Sequence, residues 1–129
     1  MLIGLPVGLR VQHQLAGRLW WEVGGSLYIV VPAFFGGLRM DFQTITEKAD
    51  SFHIRPGLGV GITGAHTFDD WDRGKTVFWA TGDVDFVWRH RWGGEMFGEF
   101  GFKLGLVAPT NVRNPIVMPR AALIFGIQF

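Results

Sequence analysis

The sequence predicts an all-β fold, an antiparallel up-and-down β-barrel of about eight strands. Three observations predict it. Apolar and polar residues alternate with a period of two over most of the 129 residues, a period of 3.6 is almost absent, and turn residues separate the alternating runs. The 19 glycines, 12 phenylalanines and 6 tryptophans suit tight turns and strands with large apolar side chains. We treat 1–129 as a single β-barrel domain.

The first half of the chain contains four alternating runs. In 3–14, Ile, Leu and Val alternate with Gly, Pro, Arg and Gln, and in 19–31 Leu, Trp, Val and Ile alternate with Glu, Gly, Ser and Tyr. In 37–46, Leu, Met and Phe alternate with Arg, Asp and Gln. In 52–63, Phe, Ile, Leu and Val alternate with His, Arg and Gly. Each run is interpreted as a strand with one apolar and one polar face.

The second half contains three further runs, and all seven are long. In 75–90 and 95–107, Phe, Val, Trp, Met and Leu alternate with Asp, Arg, Glu, Lys and Gly; in 120–129, Ala, Leu, Phe and Ile alternate with Arg, Ala, Gly and Gln. Strands of soluble proteins usually have ~5–6 residues, whereas a tilted membrane-spanning strand needs ~9–11. The run lengths therefore favour a transmembrane barrel. Turns and loops are predicted at 16–18, 32–36, 46–50, 64–74, 91–94 and 108–119.

The polar faces of these runs carry charges of both signs and many glycines. Eight strands enclose only enough space for packed side chains, and charges removed from water must pair. We therefore expect an interior charge network in a filled barrel that is not a wide pore. The alternative is a solvated face with ordinary mixed charge. The predicted network comprises Arg10, Glu22, Arg39, Asp41, Arg55, Asp83, Asp85, Arg89, Glu95, Glu99, Lys103 and Arg120.

Aromatic residues on the apolar face predict two girdles where the barrel wall meets lipid headgroups. Trp21, Trp88 and Phe129 lie near the short turns, and Phe35 and Phe78 lie near the opposite strand ends. The alternative is core packing, which aromatic side chains also perform well. Short and long connections broadly alternate, as in barrels with short periplasmic turns and long external loops.

The last ten residues, Arg-Ala-Ala-Leu-Ile-Phe-Gly-Ile-Gln-Phe at 120–129, resemble the terminal strand of bacterial outer-membrane β-barrel proteins. The segment 8–25 is similar to hairpins of the small, eight-stranded members. The resemblance implies a location in the bacterial outer membrane, in contact with the lipid bilayer and lipopolysaccharide. It also implies a structural or surface-interaction role through external loops, and recognition by the barrel assembly machinery. The residues that match the assembly signal are Leu123, Phe125, Ile127 and Phe129.

Two features depart from that family's pattern. Bacterial single-chain barrels have an even number of strands, and seven are visible here. Either a strand before Met1 is missing, together with a signal peptide, or a short strand was merged or overlooked. The second departure is Pro56, which lies inside a run and marks a bulge or an edge because proline has no N–H to donate.

Composition and motifs exclude several functional classes. A net charge of +1 gives no reason to expect a nucleic-acid partner, and the absence of cysteine excludes disulfides and thiolate metal sites. His53, His66 and His90 are too scattered to predict a metal site, and the acidic cluster at 69–72 is expected to be a solvated loop rather than a Ca²⁺ site.

We expect no catalytic residue, no cofactor and no enzymatic activity. Some outer-membrane barrels are lipid hydrolases with a His two residues before a Ser-Asn pair, whereas Ser51-Phe52-His53 has the reverse order. The main alternative is a soluble, lipocalin-like barrel that binds an apolar ligand inside. In that alternative, the apolar face would line the interior and the polar face would be in water.

Overall fold

The computed structural model describes the backbone of residues 7–28, 31–63, 76–111, 113 and 115–128. The described chain forms one antiparallel sheet of eight strands, which confirms the predicted all-β, up-and-down fold class. None of the described residues forms a helix long and apolar enough to cross a membrane. The strands are β1 (Val7–Ala16), β2 (Leu19–Tyr28), β3 (Val31–Met40), β4 (Phe42–Glu47), β5 (Asp50–Thr63), β6 (Val77–Gly93), β7 (Met96–Pro109) and β8 (Met118–Gln128).

The strand order is β1-β2-β3-β5-β6-β7-β8, and β4 also pairs with β5. β3 and β4 follow each other along one side of β5, because the pairs Arg39↔Gly57 and Phe42↔Ile54 continue a single register. That register places Pro56 opposite the end of β3. Since proline has no N–H, the ladder is interrupted there. The long run predicted at 37–46 is therefore divided into two strands that share one place in the sheet.

Three two-residue turns lie at one end of the sheet, hereafter the turn end. Each contains a residue with positive φ: Gly17 at 54°, Lys48 at 47° and Gly94 at 58°. The turns predicted at 16–18 and 46–50 are thus confirmed, whereas the turn predicted at 91–94 lies at 94–95 because β6 continues to Gly93. The connection between β7 and β8 lies at the opposite end, hereafter the loop end.

The loop predicted at 32–36 is wrong, because these residues belong to β3. Pro32 pairs with Leu27 and Gly36 with Val23. Proline is tolerated so close to the beginning of a strand. At Gly37 the neighbouring strand approaches closely, since an added Cβ would lie 2.5 Å from the Leu58 carbonyl oxygen. The predicted loop at 64–74, with His66 and the acidic cluster at 69–72, lies outside the described residues.

Contacts across the sheet show that it is strongly curled. Arg10 in β1 and Asp85 in β6 are four strand positions apart, about 19 Å in a flat sheet. Their Nη1 and Oδ2 atoms are nevertheless 2.9 Å apart. Arg120 in β8 likewise lies 6.0 Å from the ring centroid of Phe35 in β3. Both contacts lie on the same, concave face. No pairing joins β1 to β8 within the described backbone.

The two faces have opposite character, and burial is inverted relative to a water-soluble protein. On the convex face, Leu58 is 75% exposed, Phe125 72% and Val60 67%. On the concave face, Asp85 is fully buried, and Arg39 and Arg55 are 3% exposed. The buried apolar side chains among the described residues are few: Ala33, Val77, Trp79, Val87 and Ile124.

Candidate functional site: the charged concave face

Arg39 is the centre of the ion-pair network on the concave face. Its Nη2 lies 2.7 Å from Glu22 Oε1 and 2.6 Å from Asp83 Oδ1, and its Nη1 lies 3.2 Å from Asp85 Oδ1. Gly57 makes room for this guanidinium, because an added Cβ would lie 2.9 Å from Arg39 Cζ. The planar, five-donor guanidinium can bind several carboxylates at once, which a lysine cannot do in the same geometry.

Asp85 is the most deeply buried carboxylate of the network. Its Oδ2 accepts a hydrogen bond from Arg10. Its Oδ1 has no hydrogen-bond partner among the described residues, but Arg39 Nη1 lies 3.2 Å away and Lys103 Nζ 3.6 Å away. Lys103 Nζ also lies 3.5 Å from Asp83 Oδ2. The charge of Asp85 is therefore balanced by three cations from three other strands.

A second group of ion pairs lies closer to the turn end. Arg55 donates from Nε to Asp41 Oδ2 at 3.1 Å and from Nη2 to Glu99 Oε1 at 2.7 Å. Arg89 Nη2 donates to the same Glu99 oxygen at 2.7 Å. This group connects the β3–β4 junction to β5, β6 and β7, so the network spans most of the width of the sheet.

Ten of the twelve residues predicted for the network form these ion pairs, five cations with five anions. Glu95 does not belong with them: it lies exposed in the turn between β6 and β7, because β7 begins at Met96, one residue later than predicted. Arg120 lies on the concave face beside Phe35, and its Nε is buried without a hydrogen-bond partner among the described residues.

The sequence analysis overlooked a hydrogen-bonded chain of three residues at the turn end of this face. His53 Nδ1 lies 2.7 Å from Asp41 Oδ1, and His53 Nε2 lies 2.8 Å from Ser51 Oγ. A carboxylate only accepts hydrogen bonds, so in neutral His53 the proton is on Nδ1 and Nε2 accepts from the Ser51 hydroxyl. Alternation places Ser51 and His53 on one face, but only the β4–β5 pairing brings Asp41 beside them.

The predicted aromatic girdle residues are placed as follows. Phe78 and Trp88 are about half exposed on the convex face, at the loop end and turn end respectively. Trp21 lies on the same face beside His13, at a ring distance of 6.3 Å. Phe35 was wrongly predicted there: it shares the concave face with Arg39, four residues further along β3, and Phe34 is the exposed one. Phe129 lies outside the described residues.

The convex face also carries the described residues of the predicted assembly signal. Leu123, Phe125 and Ile127 are all more than half exposed along β8, and β8 pairs on one side with β7. Sequence reasoning did not single out Trp92, which is 57% exposed near the turn end. Together with Trp88, Phe100 and Phe125 it lines an apolar groove of about 530 Å³.

No protein-family model, no curated protein and no solved structure matches this chain. Among the described residues, no group of three or more His, Asp or Glu side chains is arranged to hold a metal ion.

Proposed function

We propose that the chain is a small bacterial outer-membrane β-barrel, with its convex face in lipid and its concave face forming a filled, polar interior. Its role is structural or surface-interacting, through the connections at the loop end. The observation that carries this proposal is the inverted burial: charged side chains are buried and paired while large apolar side chains are exposed.

Energetics favour lipid over water around the convex face. Leaving a large apolar side chain in water instead of an apolar medium costs about 1.5–3 kcal/mol. On the middle of β5, Leu58, Val60 and Ile62 are all exposed in succession, and β7 carries Phe102, Leu104 and Leu106 in the same way. Soluble monomers rarely expose contiguous apolar areas of this extent. A hydrocarbon surrounding removes the cost.

The lengths of the strands support a spanning arrangement. β1, β2 and β3 have 10 residues each, and β5 and β7 have 14, compared with the ~9–11 residues that a tilted strand needs to cross a bilayer. In lipid, every backbone group must be paired. The proposal therefore requires the free edges of β1 and β8 to be paired, with each other or with a further strand.

The soluble, lipocalin-like alternative requires an apolar concave face around a ligand. The concave face instead holds buried Arg39, Arg55, Asp83, Asp85 and Lys103, so an apolar ligand would desolvate charges without replacing their hydrogen bonds. The same network argues against a wide aqueous pore, because paired side chains occupy the space between the strands.

A refolding experiment tests this proposal. The urea-unfolded chain is diluted into detergent micelles, into lipid vesicles and into plain buffer, and each sample is run on SDS gels with and without boiling. We expect unheated samples from detergent and vesicles to migrate as a compact species that boiling converts to the unfolded position. A chain that folds as a monomer in plain buffer, with no heat-dependent shift in detergent, would contradict the proposal.

A further inference from the structure

We propose that Ser51, His53 and Asp41 form a catalytic triad for the hydrolysis of carboxylic esters at the turn end of the concave face. The three side chains are connected in the order that nucleophilic catalysis requires: a hydroxyl on one imidazole nitrogen and a carboxylate on the other. The two distances are 2.8 Å for Ser51 Oγ to His53 Nε2 and 2.7 Å for His53 Nδ1 to Asp41 Oδ1.

The surroundings hold the imidazole in one orientation. His53 is 3% exposed, and Asp41, which fixes its tautomer, is itself held by a hydrogen bond from Arg55 Nε to Oδ2. Arg55 is in turn fixed by Glu99. Arg55 and Glu99 are thus positioning residues that act through Asp41, while Ser51 and His53 are the groups that touch the substrate. Asp41 lies at the interruption between β3 and β4, and such irregularities often redirect a side chain beside an active site.

The nucleophile lies at the rim rather than in the interior. Ser51 is the second residue of β5 and is partly exposed. The ester substrate therefore approaches Ser51 from the turn end. Arg89 is the register partner of Ser51 on β6, so it lies on the same face of the neighbouring strand, where its guanidinium is bonded to Glu99.

The reaction is balanced without any additional reactant except water. Ser51 Oγ attacks the ester carbonyl carbon while its proton passes to His53 Nε2. The C–O bond to the alcohol breaks, and His53 returns the proton to the leaving alkoxide. Water then attacks the acyl-Ser51 ester, again losing a proton to His53, and the carboxylic acid leaves as Ser51 recovers its hydrogen. A local sequence motif does not reveal this triad, because Asp41 comes beside His53 only where β4 pairs with β5.

A serine-reactive fluorophosphonate tests the site, because it phosphonylates only an activated serine. The chain contains two serines, Ser26 and Ser51, so mass spectrometry of the labelled, detergent-folded protein identifies the site directly. We expect labelling at Ser51 in the folded protein and none after boiling. Ser51→Ala should abolish labelling and p-nitrophenyl acetate turnover, whereas the matched control Ser26→Ala should retain both.

His53→Gln provides the mechanistic readout. Removing a general base costs about 10²–10⁴ in rate, so we expect at least a hundredfold slower labelling, with the heat-dependent gel shift still present. Absence of labelling in a protein that shows the gel shift, or equal labelling of Ser51→Ala, would overturn the proposed triad and leave the proposed membrane location standing.

Discussion

At the residue scale, the described structure depends on charges that compensate one another away from water. Asp85 shows this most clearly, because it is fully buried and lies within 3.6 Å of Arg10, Arg39 and Lys103. Removing one partner of a buried ion pair leaves the other charges desolvated and uncompensated, which is far more costly than losing a surface pair.

Asp85→Asn should therefore lower the free energy of unfolding by about 3–5 kcal/mol. Glu95→Gln is the matched control, since it removes the same charge from an exposed turn, and we expect a change within about 0.5 kcal/mol. Urea titrations of both variants in lipid vesicles measure the difference. Equal effects at the two positions would show that the network is solvated rather than enclosed.

Which charges share a face could be predicted from alternation, but which ones meet could not. Arg10 reaches Asp85 only because the sheet curls, and curl is a property of the whole sheet that no local pattern encodes. Glu95 was misplaced because the turn position decides whether a terminal residue remains in the strand. The order of Ser51 and His53 along the chain does not match a known hydrolase motif. Asp41 joins them only through the pairing of β4 with β5.

At the element scale, strands were predicted better than their interruptions. For six of the seven predicted runs, both boundaries lie within about four residues of the boundaries of the observed strand. Differences of this size are typical of boundaries predicted from sequence. The exception is the first part of β3. Pro32 and the Gly36-Gly37 pair are ordinary loop signals. In this strand, however, the absence of a side chain at Gly37 allows the backbone of β5 to approach closely. Pro56 was correctly recognised as a disturbance, and its effect is the division of β3 from β4.

The convex face of β5 allows a prediction that separates lipid from water as its surroundings. Leu58→Arg should cost about 2–4 kcal/mol of unfolding free energy in vesicles, because the proposed orientation places this position near the middle of a membrane-spanning strand. Ile45→Arg, at a position that is also more than half exposed, two residues before the end of β4, should cost only about 0–1 kcal/mol because the proposed orientation places it near the headgroups.

Urea titrations in vesicles measure both variants against the unsubstituted chain. In a soluble protein, both substitutions would replace surface residues, and each would change the free energy of unfolding by no more than about 0.5 kcal/mol. A small and equal change at the two positions would therefore contradict the membrane orientation, whereas a graded cost would support it.

At the scale of the whole molecule, one sheet has two incompatible faces, and each requires a different medium. Its concave face keeps ten charged side chains paired, while its convex face presents apolar side chains from every long strand. In the proposed barrel, lipid surrounds the convex face and the charges of the concave face compensate one another in the interior. The overall character of the faces was predictable from alternation and run length, because period-2 patterning directly determines which residues share a side.

Quenching of tryptophan fluorescence by lipids with brominated acyl chains measures lipid contact directly. Two single-tryptophan variants are compared in vesicles: one retains Trp88, about half exposed on the convex face, and the other retains Trp79, 6% exposed on the concave face and bonded to Thr63. Both belong to β6, Trp79 near the loop end and Trp88 near the turn end, and they lie on opposite faces of the strand. We expect strong quenching of Trp88 and weak quenching of Trp79. Equal quenching, or stronger quenching of Trp79, would contradict a barrel whose apolar face is in lipid.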